Sequence, residues 1–303
     1  MALSARLARP PARLCRTYSA SASALNHCVA LVRSHDRERY LCLLAAPPSA
    51  RAALVALFSL NLETARVRES VTEPAIGRMR LSWWRQSVRT ALEGAPPDHP
   101  VAQALAHAHH RVGFTRRFVE QILDAREADL ERMQPEDLGE LVGYCEQTAG
   151  ALMQLSLEAC GVPKDDEKAS LAAHHVGVAH GMATVLRGAL HHAGQGCTYI
   201  PADVATRHEL SLKSILSGRA SPALSDAAFE LATEATSHLL AARALQHELS
   251  PATRVALKPA VVVDLVLARL QQHGYNLFAR EALQPLGLRL QASLFWHGAV
   301  GTF

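Results

Sequence analysis

The run from Ser49 to Val71 is apolar on two opposite sides of a helix, and few folds accommodate such an element. Leu54, Leu57, Phe58, Leu62 and Ala65 make one stripe at helical spacing; Ala56, Leu60 and Val67 make a second across the axis. A helix apolar on both sides has neighbours on both sides, so it belongs at the centre of a bundle. Ser49 follows Pro47-Pro48 and is placed to cap it. Glu63 falls within the second stripe and therefore points at another helix or into a cavity.

The same periodicity recurs along the chain. Pro74 suits the first turn of a helix that runs to Leu92 and ends at Gly94-Ala95-Pro96-Pro97. Further helices are expected over 99–111, 115–132, 136–160 (stopped by Gly161), 165–192, 223–248, 252–272 and 285–297. Alanine and leucine, which lose little on entering a helix, dominate, and aromatics are only 5% of the 303 residues. No strand pair, internal repeat or long linker interrupts the pattern. The expected fold is all-α, a single large helical bundle over 24–303 with about ten helices. No stretch approaches 18 uncharged apolar residues, and the late apolar run Ala260–Val263 is halted by Asp264, so a spanning helix is not expected.

The first acidic residue is Asp36, and Arg6, Arg9, Arg13 and Arg16 lie among Ala, Ser and Leu before it. An Arg-rich, acid-poor, amphipathic start reads as a mitochondrial presequence. Arg16-Thr17-Tyr18-Ser19 resembles a matrix-peptidase site, which sets the expected presequence at 1–18. Removing those four arginines takes the formal charge from +3 to −1 (3 − 4), so the body carries no basic surplus for nucleic acid. Cys15, Cys28, Cys42, Cys145, Cys160 and Cys197 are scattered without C-x-x-C or zinc-finger spacing, and read as reduced thiols.

Helical enzymes acting on diphosphates hold magnesium between carboxylates at i and i+4 on facing helices. Glu63 has Arg66 at i+3 and Val67 at i+4, so its partner is missing; it reads either as a residual ligand or recognition contact, or as a buried carboxylate paired with arginine. Glu69 and Glu73 are four apart, but Pro74 puts Glu73 near a helix end. Between Glu167 and Asp203 there is no carboxylate, while Gly177, Gly181 and Gly188 permit close helix approach: a core helix lining the bundle centre. Its histidines, His174, His175, His180, His191 and His192, have neither acidic partners nor an i, i+4 pair, and are not read as a metal site. Asp124 and Asp129 are five apart, about 140° around a helix, and with Arg126 they read as a solvated, ion-paired face or as part of a rebuilt site.

Several strings, in order along roughly 28–297, resemble the squalene/phytoene synthase superfamily. They are Phe58 to Glu69, Arg80-Leu81-Ser82-Trp83-Trp84-Arg85, Tyr144 to Gly150, and Leu186 to His192 followed by Tyr199-Ile200-Pro201. Active members carry Asp-x-x-x-Asp in both the first and last of these segments. Matched to that pattern, Glu63 and Val67 take the first pair of positions and Gly188 and His192 the second. The resemblance implies a pseudoenzyme with the isoprenoid-synthase fold, no catalytic residue, and no metal or cofactor.

The string Asn61 to Val67, the segment Arg80 to Trp84, and Asp124-x-Arg126 to Leu130 are also similar to a mitochondrial branch of this superfamily. The likeness implies a matrix protein, peripheral to the inner membrane, needed early in the assembly of respiratory complex I around its membrane-arm subunit ND1. A lipid or isoprenoid in the old substrate cavity is part of that expectation. Arg80, Trp83, Trp84, Arg85, Asp124, Arg126 and Asp129 are the expected interface or cavity residues. The alternatives are a divergent prenyl transferase or a stable complex I subunit.

Overall fold

Helix starts are written into this chain as capping side chains. Asp36, Asp137, Asp166 and Ser221 each accept the backbone N–H three residues on, the donor that a first turn leaves unpaired. The computed structural model describes the backbone of residues 12–282 and 284–303, and side chains over 22–282 and 284–303. The helices, in chain order, are α1 (Ala12–His35), α2 (Arg37–Ala45), α3 (Pro48–Ala65), α4 (Pro74–Leu92), α5 (Pro100–Val112), α6 (Arg116–Ala128), α7 (Leu138–Cys145) and α8 (Ala151–Ala159). They continue as α9 (Glu167–Arg187), α10 (Ala189–Gly194), α11 (Ala202–Arg207), α12 (Leu212–Leu216), α13 (Pro222–Ala244), α14 (Pro251–Ala256), α15 (Pro259–Gln272) and α16 (Gly287–Val300). The fold is all-α, with no strand among the described residues.

Two adjoining cores organise the bundle. In the first, α3 packs against α1, α5 and α8, burying Leu54, Val55, Ala56, Leu57, Phe58 and Leu60 from both sides, as its double stripe requires. In the second, α9 is the axis, packed on α8, α13 and α15. Small residues let α9 come close: a Cβ on Gly177 would lie 2.4 Å from the Gly150 Cα, and one on Gly181 would lie 2.7 Å from the Cys145 Cβ.

Several expected helices are interrupted. The 136–160 element contains a π turn at Glu146–Gly150, the segment pressed by Gly177, which widens the helix there. The 165–192 element breaks at Gly188, and 252–272 breaks before Pro259, which cannot continue the hydrogen-bond ladder of α14. The central helix stops at Ala65 rather than Val71, and a 3₁₀ turn over Arg68–Ser70 follows. Residues 1–11 of the expected presequence lie outside the described residues. No described helix is long and apolar enough to cross a membrane. Cys28, Cys42, Cys145, Cys160 and Cys197 are free thiols.

Candidate functional site

A cavity of about 560 Å³ opens between α2, α3, α6, α7, α9 and the start of α16. Leu41, Leu62, Ala149, Val185, Leu286 and Leu290 give it apolar wall, and two polar clusters occupy its ends.

The first cluster centres on Asp129, only 3% exposed at the C-terminus of α6. Arg68, from the turn after α3, meets Asp129 at 2.9 Å, and the Tyr199 hydroxyl donates to the other carboxylate oxygen at 2.5 Å. Tyr144 of α7 stacks on Tyr199 with ring centroids 5.3 Å apart, and Arg126 donates to its hydroxyl. Burial pushes the Tyr144 phenol up to about 12 and raises Tyr199 as well, so both stay neutral hydroxyls. Burial opposes charge on Arg68, but Asp129 and Tyr199 outweigh it and hold the guanidinium above its ordinary value.

The second cluster joins α2 to α9. Asp36 pairs with Arg39 at 3.1 Å, Glu38 accepts from Arg187 at 2.6 Å, and Arg39 lies 3.4 Å from the His180 Nδ1. Burial, reinforced by Arg39 and Arg187, depresses the His180 imidazole, so it is neutral.

The structure separates the residues expected from sequence. Arg126 and Asp129 line the cavity. Asp124 does not: with Glu127 it holds the exposed Arg85 at 2.7 and 2.8 Å across α4 and α6. Arg80, Trp83 and Trp84 line a lateral groove, with Trp84 buried, Trp83 45% exposed, and the two rings edge to face at 4.9 Å. Glu63 and Val67 lie along that same groove and are not among the residues lining the cavity. Arg80 donates to Ser70 at 2.7 Å, not to Glu63. Asn61, Leu62 and Ala65 of α3, with Arg68 and Glu69 of the 3₁₀ turn after it, line that wall of the cavity.

On the facing wall, His192 lines the cavity and Gly188 is the break between α9 and α10. A Cβ on Gly188 would lie 2.6 Å from the His192 Cε1, so the ring fills the space that a side chain at 188 would need. Burial, with His191 and Arg68 nearby, pushes His192 down to about 4, leaving it neutral. A magnesium clamp needs oxygen ligands. Glu63, Val67, Gly188 and His192 offer one carboxylate, Glu63, which lines the lateral groove and not the cavity. These residues do not fit the metal. Arg68, Tyr144 and Tyr199 entered the sequence reading only within the resemblance strings and His180 only as a histidine outside any metal site, while the Asp36–Arg39 pair did not enter it; the helical phase of Asn61, Leu62 and Ala65 is the signal that marks this wall.

A bundle of this topology around this cavity is the architecture of head-to-head isoprenoid synthases, and residues 32–294 match squalene/phytoene synthase: the chain belongs to that family. Its backbone superposes on a dehydrosqualene synthase crystal structure with a TM-score of 0.81 at 16% identity, covering 94% of this chain and 98% of that one. Within the family, it is 32% identical over 271 residues to the Bos taurus protein named NADH dehydrogenase (ubiquinone) complex I, assembly factor 6, covering 88% of this chain and 81% of that protein. The Drosophila melanogaster homolog of that factor is 33% identical over 284 residues, covering 91% and 84%.

Proposed function

We propose that this chain is a non-catalytic assembly factor for mitochondrial respiratory complex I, acting on early membrane-arm intermediates that contain ND1. The observation that carries this reading is that the positions matched to the paired carboxylates, Glu63, Val67, Gly188 and His192, keep a single acid, in a chain 32% identical over 88% of its length to a protein named for that role. The His192 ring fills the space beside Gly188, so restoring one aspartate there would not rebuild a clamp. The protein works in the matrix, after import directed by residues 1–18, and rests peripherally on the inner membrane. Supporting that placement, α16 contains no Asp or Glu and exposes Leu288, Phe295, Trp296 and Val300, while Leu290, buried on it, lines the cavity. The cavity's apolar wall suits a lipid or isoprenoid tail.

The test is complex I content on native gels of cells lacking the protein, rescued with wild type or with Glu69→Ala. Loss of the ND1-containing intermediates with rescue by both supports the reading. Normal complex I without the protein overturns it. Rescue by wild type alone, at equal protein level, favours a divergent prenyl transferase; magnesium-dependent diphosphate release from a prenyl diphosphate by purified protein would establish that. Co-purification with mature complex I would mark a stable subunit.

A further inference from the structure

The seam between α9 and α13 is built from small residues. Ala172, Ala173, Val176 and Ala179 meet Ala228, Leu231, Ala232 and Ala235 in the core. At its outer edge, away from the cavity, three imidazoles converge: His174 and His175 from α9 and His238 from α13. One ring nitrogen from each lies within 4.8 Å of the others. His175 and His238 face each other Nδ1 to Nδ1 at 3.0 Å. Four ligands held tetrahedrally at about 2.0–2.1 Å from a zinc ion sit about 3.3 Å apart, so this pair already has the spacing of ligands sharing one ion. The third ring, His174, is 30% exposed and closes the remaining gap by side-chain rotation.

The surroundings favour a cation. The other nitrogen of His238, Nε2, lies 3.4 Å from Glu234, one helical turn earlier. A carboxylate in that position keeps the proton on Nε2 and leaves the Nδ1 lone pair aimed at His175, the arrangement found around metal-bound histidines. Glu146, on the π turn beside α9, lies 3.6 Å from His174 Nδ1, at the edge of the cluster. Three imidazoles with two carboxylates at their edge suit a borderline divalent ion better than magnesium or calcium, which prefer oxygen.

We propose that His174, His175 and His238 form a binding site for a divalent ion of the zinc class, with Glu234 orienting His238 and Glu146 beside His174, which clips α9 to α13. The third ligand comes from a helix 63 residues away, which is why the histidine spacing within α9 alone does not disclose the site. The ion ties down the helix whose other face lines the cavity.

The test uses untagged protein stripped with chelator and titrated with Co²⁺, whose visible bands report tetrahedral coordination, then with Zn²⁺. Wild type should develop the bands to one equivalent, lose them on adding Zn²⁺, and gain thermal stability with Zn²⁺. His238→Asn, folded by circular dichroism, should show neither the bands nor the stabilisation. Glu234→Gln should weaken Zn²⁺ binding about tenfold, and Cys197→Ser should leave it unchanged. Absence of bands in wild type, or unchanged binding by His238→Asn or loss of it in Cys197→Ser, would overturn the proposal.

Discussion

Acidification should destabilise this protein through His192 by an amount that can be isolated. In the folded chain its imidazole is pushed down to about 4, against an ordinary value of 6.5 when unfolded. The unfolded state therefore takes up the proton first, and stability present above the unfolded value is lost as pH falls through this window. Each pH unit between 6.5 and the assay pH is worth about 1.4 kcal/mol, and so at about pH 5 the cost approaches 2 kcal/mol. His180, His175, His238 and other depressed imidazoles act in the same direction, so wild type alone would not separate them. The measurement is urea unfolding at about pH 7.5 and about pH 5, for wild type and for His192→Asn, which cannot titrate. Terms common to both proteins cancel, and wild type should lose about 2 kcal/mol more than the variant. Equal losses would refute the reasoning and mean that His192 titrates in the folded chain much as it does in water.

Asp129→Asn removes the anion that Arg68 and Tyr199 both use, leaving a largely buried guanidinium uncompensated; unfolding stability should fall by about 3 kcal/mol, the low end for a broken buried pair because the Arg68 side chain keeps 20% exposure. A loss under about 1 kcal/mol would show that Arg68 finds another anion or water. Replacing Phe295 and Trp296 by Ser, both more than half exposed, should leave the melting temperature within a few degrees while reducing co-sedimentation with vesicles rich in anionic lipid several-fold. Unchanged co-sedimentation would remove α16 from the membrane contact.

How far the sequence disclosed the fold depended on whether each helix end had a local cause. Pro74 and the Gly94-Ala95-Pro96-Pro97 stop bracket α4, and the structure places that helix at Pro74–Leu92 as the pattern predicts. The π turn at Glu146–Gly150 has no such marker, because Gln147, Thr148 and Ala149 suit an ordinary helix and the distortion comes from Gly177 packing on Gly150, far along the chain. The short α2 was likewise missed: its hydrophobic pattern is weak, and it is held by Asp36, Arg39 and Glu38 reaching to α9. The cavity residues divided in the same way. Asp129 was visible as one of two candidate acids, but its separation from Asp124 is decided by which face of α6 meets Arg68 and which meets Arg85. Glu63 lies within α3, and its face of that helix opens on the groove of Arg80, Trp83 and Trp84, which only the packing of α4 on the bundle decides.

The charges in the cavity bear on its function beyond the loss of any one ligand. Arg39, Arg68 and Arg187 are each committed to a protein carboxylate, Asp36, Asp129 and Glu38 respectively, and Arg126 is held between Tyr144 and Asn61. Glu69 faces His191 at the rim, and His180 and His192 are neutral. A diphosphate meeting Arg39, Arg68 or Arg187 in this space would compete with the carboxylates they already hold at 2.6–3.1 Å. Breaking one such buried pair costs about 3 kcal/mol, which a charged ligand would have to offset before binding at all. A neutral or weakly polar tail meets no such cost along Leu41, Leu62, Val185 and Leu290. The internal ion pairs thus occupy three of the cavity's arginines with the protein's own carboxylates, which suits the apolar occupant proposed above.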